Sequence, residues 1–124
     1  MPFARPSLSE RDRLHLQEML GAIDELAIQV AGGDPETWID DRTRVAASSM
    51  YLIVLGEGAQ NLSSTITGLA PDIPWADIAG LRHRLAHSYF RADRRLIWEA
   101  ASNHSQALKP VLQRLLATLG PDPA

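Results

Sequence analysis

Arg82, His87 and Tyr89 stand in the order R-x-x-x-x-H-x-Y and bring together side chains suited to handling a phosphate group. A guanidinium is permanently charged and offers planar, paired donors to phosphate oxygens. An imidazole titrates near neutrality, so it can take or give a proton. A phenol can orient an oxygen ligand or pack against apolar neighbours. The window from Arg82 to Arg95 holds five arginines (82, 84, 91, 94 and 95) and one aspartate. With its histidines neutral the window carries +4, which leaves −7 for the remainder of a chain whose net charge is −3. A basic patch on an acidic body can hold an anion; the plainer alternative is a row of arginines solvated on a helix face. His83 and His87 are four apart, a zinc-compatible spacing on a helix, but no third ligand stands nearby. Cysteine is absent, which excludes disulfides and thiolate metal sites. Neither a metal nor an organic cofactor is expected.

These residues must be positioned by helices, because the apolar periodicity is helical along the whole chain. The first helix is expected over about 8–31, opened by a capping box of Ser7 and Glu10 and closed by Gly32-Gly33, with Asp34-Pro35 turning the chain. Its apolar stripe is Leu16, Met19, Leu20, Ile23, Ala27 and Val30. The second is expected over about 40–64, and its middle, Met50 to Leu55, is apolar on every face. Such a section needs cover on more than one side, from the core of this chain or from a second subunit. After a loop at 68–74, the third helix opens at Pro74-Trp75 and runs to His87 or Tyr89. The last begins after Asp93 as N-cap. Its stripe of Ile97, Ala100, Ala101, His104, Leu108, Val111, Leu112, Leu115 and Leu119 keeps phase through Pro110. One helix kinked near Pro110 is therefore expected, with His104 as a core histidine. The fold class is all-α, an antiparallel bundle of four main helices.

The third helix carries the puzzle. With Trp75 at the origin, Arg82 lands at about 340° and Tyr89 at about 320°, among Ile78 and Ala79, whereas Arg84 lands at about 180°. His83 and His87 fall on the flank. A buried unpaired guanidinium is costly, so Arg82 is expected to pair with an internal carboxylate (Glu57 or Asp24), to snorkel outward, or to face a polar cleft that takes an anion. Arg82 and His87 diverge by about 140° on an ideal helix. They converge on one phosphate only if the helix frays, if Arg82 reaches around, or if a second subunit contributes.

A chain of 124 residues suits one domain, 1–124, with its core at about 8–119 and short flexible termini. No signal-peptide pattern is present at Met1–Pro6, and the run Met50–Leu55 is too short to span a bilayer. A cytoplasmic protein without a membrane partner is expected.

The motif Arg82, His87, Tyr89 resembles the signature of the HEPN superfamily and of its HepT branch. The likeness extends to Trp75-Ala76-Asp77-Ile78-Ala79-Gly80-Leu81 before the arginine, to Asp93, Ile97 and Trp98 after it, and to Leu55-Gly56-Glu57-Gly58-Ala59 upstream. In order, the match covers about 44–116. The resemblance implies a HEPN-like helical bundle that forms a homodimer, with the arginine and histidine of both subunits lining one cleft. It implies metal-independent RNA cleavage, with Arg82 and His87 catalytic and His83, Arg84 and Arg91 available to the cleft or to RNA. It also implies a toxin paired with a minimal nucleotidyltransferase (MNT) antitoxin that adenylylates Tyr89. One departure stands out: the residue after the motif arginine is commonly asparagine and is His83 here. That substitution keeps open a non-catalytic HEPN subunit that dimerises and binds the nucleotidyltransferase partner or a nucleotide.

Overall fold

The computed structural model describes residues 7–88 and 93–121, and among them there is no strand. Helix α1 (Leu8–Val30) opens on the expected capping box. The Ser7 hydroxyl accepts from the Glu10 amide at 3.2 Å, and the Ser7 amide donates to Glu10 Oε2 at 2.9 Å. Two otherwise unpaired amides are thereby satisfied. Leu16, Met19, Ile23 and Leu26 form its fully buried stripe at spacings of three and four. The helix stops at Gly32, whose φ of +68° is a left-handed conformation that glycine adopts without a Cβ penalty.

Asp34-Pro35 does more than turn the chain. Asp34 caps a one-turn helix, α2 (Pro35–Trp38), with proline in its first turn. This turn buries Trp38, whose indole N–H donates to the Gln29 carbonyl at 2.9 Å and whose ring meets Trp98 edge-on at 5.2 Å.

Helix α3 (Arg42–Asn61) is capped by Asp41 and lies between α1 and α5. It ends earlier than expected because Ser63 starts a second one-turn helix, α4 (Ser64–Thr67). The cause is tertiary. Asp12 of α1, 3% exposed, accepts the Ser63 amide at 2.8 Å and the Ser63 hydroxyl at 2.6 Å, and so draws the chain out of α3.

Helix α5 (Trp75–Ser88) runs antiparallel to α3 and packs along it. After Asp93, an N-cap as expected, come α6 (Arg94–Glu99), a π-helical turn over Ala100–His104, and α7 (Ser105–Thr118). Together they form one continuous rod that packs mainly on α1. Pro110 is exposed and α7 passes through it. The change in helical hydrogen bonding sits earlier, at Ala100–His104, not at the proline expected to mark the kink. A π turn inserts extra arc and shifts the phase of everything after it. The buried line therefore becomes Ile97, Ala101, Ser105, Leu108, Leu112 and Leu115. His104 is exposed, which corrects its expected place in the core. Ser105 takes the inward position and donates its hydroxyl to the Ala101 carbonyl at 2.9 Å.

No described helix is long and apolar enough to cross a membrane.

Candidate functional site

The site begins at a contact between two backbones. Gly56 of α3 lies so close to α5 that a Cβ there would stand 2.8 Å from the Ile78 carbonyl oxygen and 3.1 Å from the Arg82 amide nitrogen. A side chain of any size would force the helices apart. At that approach the inward side of α5 is made by Ile78, Leu81 and Leu85, the last buried. By the angles above, the centre of the buried side lies at about 280°, well away from Trp75. Trp75 is a poor origin because it sits at the start of the helix, where its indole N–H donates to the Ala70 carbonyl at 3.0 Å. Arg82 consequently lies on the rim of the packed face and not within it.

Of the carboxylates considered for Arg82, the structure places Glu57 beside it, at the surface and not in the interior. Arg82 Nη1 is 3.0 Å from Glu57 Oε2, and the two side chains are 54% and 48% exposed. The other carboxylate considered, Asp24, pairs with Lys109 at 2.8 Å. The Arg82–Glu57 pair is a surface ion pair, a class that adds only about 0.2–1 kcal/mol to stability. Its value to the fold is small, and the guanidinium remains accessible to solvent. Glu57 is held in turn: Asn61 Nδ2 donates to its Oε1 at 3.2 Å and to its carbonyl oxygen at 2.8 Å.

His83 is exposed on the next position of α5. Arg84 is exposed too but faces the other way. Its Nη2 donates to the Asp77 carbonyl at 3.1 Å, and it borders an apolar groove between α5 and the α6–α7 rod. That groove has a volume of about 460 Å³, and Leu52, Leu55, Arg84 and His104 are among the residues that line it. Arg82 and Arg84 therefore serve opposite flanks of one helix. The backbone of α5 carries His87 into its last turn, but its side chain lies outside the described residues, as do Tyr89 and Arg91. The other arginines of the basic window have structural partners. Arg94 donates to the Ile39 carbonyl at 2.8 Å, and Arg95 Nη2 reaches both oxygens of Glu36 at 2.8 and 2.7 Å. Glu36 holds the Arg95 guanidinium above its already high ordinary pKa. Both arginines clasp α2 to α6 and are accounted for without a ligand. No group of three or more metal-ligating side chains occurs among the described residues.

The sequence identified Arg82 and offered Glu57 among its partners, but gave no weight to Asn61. The signal for Asn61 is its i+4 spacing from Glu57 on an exposed helix face. It becomes meaningful only when α5 is laid alongside.

The chain is similar to the "Probable ribonuclease HepT" of Thermococcus cleftensis, 28% identical over 108 residues that cover 86% of this chain and 96% of that one. It is likewise similar to the "Putative RNase TTE0752" of Caldanaerobacter subterraneus subsp. tengcongensis, 29% identical over 104 residues, 84% of this chain and 93% of the relative. No solved structure matches it. The model of the HepT-like ribonuclease family matches residues 19–115, which include α3, Arg82 and His87 and most of the rod, and the chain belongs to that family.

Proposed function

We propose that the chain is a metal-independent endoribonuclease acting as a homodimer, the toxin of a pair restrained by a minimal nucleotidyltransferase. The observation that carries this reading is the solvent-accessible guanidinium of Arg82, five residues, or about 1.4 turns, before His87 on the same helix. RNA supplies its own nucleophile, the 2′-hydroxyl. His87 takes the proton from that hydroxyl as it attacks the adjacent phosphorus. Arg82 stabilises the extra negative charge of the phosphorane. The 5′-oxygen then leaves with a proton returned by the imidazolium of one subunit or the other. The products are a 2′,3′-cyclic phosphate, or its opened form, and a 5′-hydroxyl. The proton moves required lie within the reach of imidazole chemistry.

A homodimer is favoured by two features. Arg82 and His87 diverge by about 140° on a regular helix, so a second copy supplies the complementary group most simply. Beside Glu57, on the outward face of α3, lie Ala46, Met50 and Ile53 at offsets that place them on one stripe. Met50 is 59% exposed. Among the described residues Met50 has little cover on that side, and Ile53 is only partly buried against the core. Tyr89, two residues beyond His87, is the acceptor in the proposed silencing by adenylyl transfer, and the RNA path includes His83 and Arg91.

The test is incubation of the purified protein with RNA in the presence of a chelator, beside Arg82→Ala and His87→Ala. Cleavage by the parent with cyclic-phosphate ends, lost by at least about a hundredfold in each variant, is the expected result. Products ending in a 3′-hydroxyl, or full activity in His87→Ala, would refute the mechanism. Growth arrest on expression, relieved by co-expression of a minimal nucleotidyltransferase encoded beside it, tests the toxin role.

A further inference from the structure

Glu57 presents a difficulty for any reading in which Arg82 binds phosphate. A carboxylate 3.0 Å from the anion-binding guanidinium opposes the approach of RNA. As an exposed ion pair it does little for the fold. Each of its carboxylate oxygens nevertheless has a partner. Its backbone follows Gly56, where α3 and α5 meet at atomic contact. Its Oε1 takes a hydrogen bond from Asn61, and Asn61 is anchored by a second bond to the Glu57 carbonyl. The other oxygen, Oε2, is the one that meets Arg82. An arginine on the rim of a helix, with 54% of its side chain exposed, has four rotatable bonds in its stem and little packing to select a rotamer. The carboxylate supplies that selection through Nη1 and leaves the remaining donors of the guanidinium for a phosphate.

We propose that Glu57, braced by Asn61, is a positioning residue for Arg82: it orients the guanidinium for the phosphorane at the expense of ground-state affinity for RNA. This rests on the ribonuclease reading of Arg82 above. The signature of the arrangement is a split between kinetic constants. Removing the charge in Glu57→Gln frees Arg82 and at the same time removes a repulsion. The expected result is a kcat lowered by about ten- to hundredfold, as for other small losses of alignment, with KM unchanged or lower and the urea midpoint unmoved. Asn61→Ala, which loosens the brace but keeps the charge, should give a smaller fall in kcat with KM unchanged.

The decisive experiment measures kcat and KM on one oligoribonucleotide for the parent, Glu57→Gln, Asn61→Ala and Arg82→Ala, together with rotation of the Arg82 guanidinium by nitrogen-15 NMR. Slow rotation in the parent and fast rotation in Glu57→Gln, alongside the split, supports the proposal. A kcat in Glu57→Gln within twofold of the parent, or above it, overturns it, as does a loss of activity that merely tracks a loss of stability. If Arg82→Ala cleaves as well as the parent, the ribonuclease role of Arg82 itself fails. If Arg82→Ala is inactive and Glu57→Gln is not, only the positioning role fails. Should the parent cut no RNA, guanidinium rotation that is equally fast with and without the Glu57 charge still overturns the tether.

Discussion

Replacing Gly56 with alanine should destabilise the protein even though it improves the helix in isolation. The added Cβ would lie 2.8 Å from the Ile78 carbonyl oxygen, where ordinary contact begins at 3.4 Å, so α5 must retreat by about 0.6 Å. The obstructing atoms, which also include the Arg82 amide and the Ala79 carbonyl at 3.1 and 3.4 Å, are all backbone. No rotamer change relieves the clash, and overpacking of this kind costs about 2–3 kcal/mol. Against this stands the gain of about 1 kcal/mol from replacing glycine inside a helix. A net loss of about 1–2 kcal/mol remains, which lowers a urea midpoint by about 0.5–1 M at the slope usual for small domains. Gly21→Ala is the matched control. It lies on the exposed side of α1, a Cβ there meets nothing within 4 Å, and its φ is not positive. It should gain about 0.5–1 kcal/mol. Urea unfolding of both variants at one protein concentration makes the comparison. If Gly56→Ala rises in stability together with Gly21→Ala, the close approach of α3 and α5 is refuted, and with it the fixed spacing of Glu57 and Arg82.

Two further outcomes follow from the buried polar groups. Asp12→Ala removes the acceptor for both the amide and the hydroxyl of Ser63. It should cost about 2–3 kcal/mol in the same unfolding assay, since charge-assisted bonds are the stronger kind; a cost below half of that would mean α4 is held by its own cap alone. Ser48 is fully buried, and its hydroxyl has no hydrogen-bond partner among the described residues. Ser48→Ala should therefore leave the protein at least as stable and raise it by about 1 kcal/mol, whereas a clear loss would show that the hydroxyl is satisfied by a buried water.

What the sequence determined by itself was the part of the structure governed by neighbours along the chain. The Ser7–Glu10 capping box, the Asp93 cap, the stop at Gly32-Gly33 and the stripe of α1 depend on atoms within one or two turns, so spacing alone specifies them. Arg82 could likewise be singled out, because a charge close to an apolar stripe conflicts with the local pattern. Tertiary structure decided the rest, for reasons of distance. Asp12 and Ser63 are 51 positions apart, and nothing local in either residue tells that they cut α3 short to begin α4. His104 fits a regular wheel, but the π turn over Ala100–His104 moves it outward and Ser105 inward. The choice of Glu57 over Asp24 for Arg82 is made by the contact of two helices at Gly56, and Asp24 is taken by Lys109 of α7. A helix wheel fixes relative directions within one helix, but the direction of the core is set by whichever other helices pack against it.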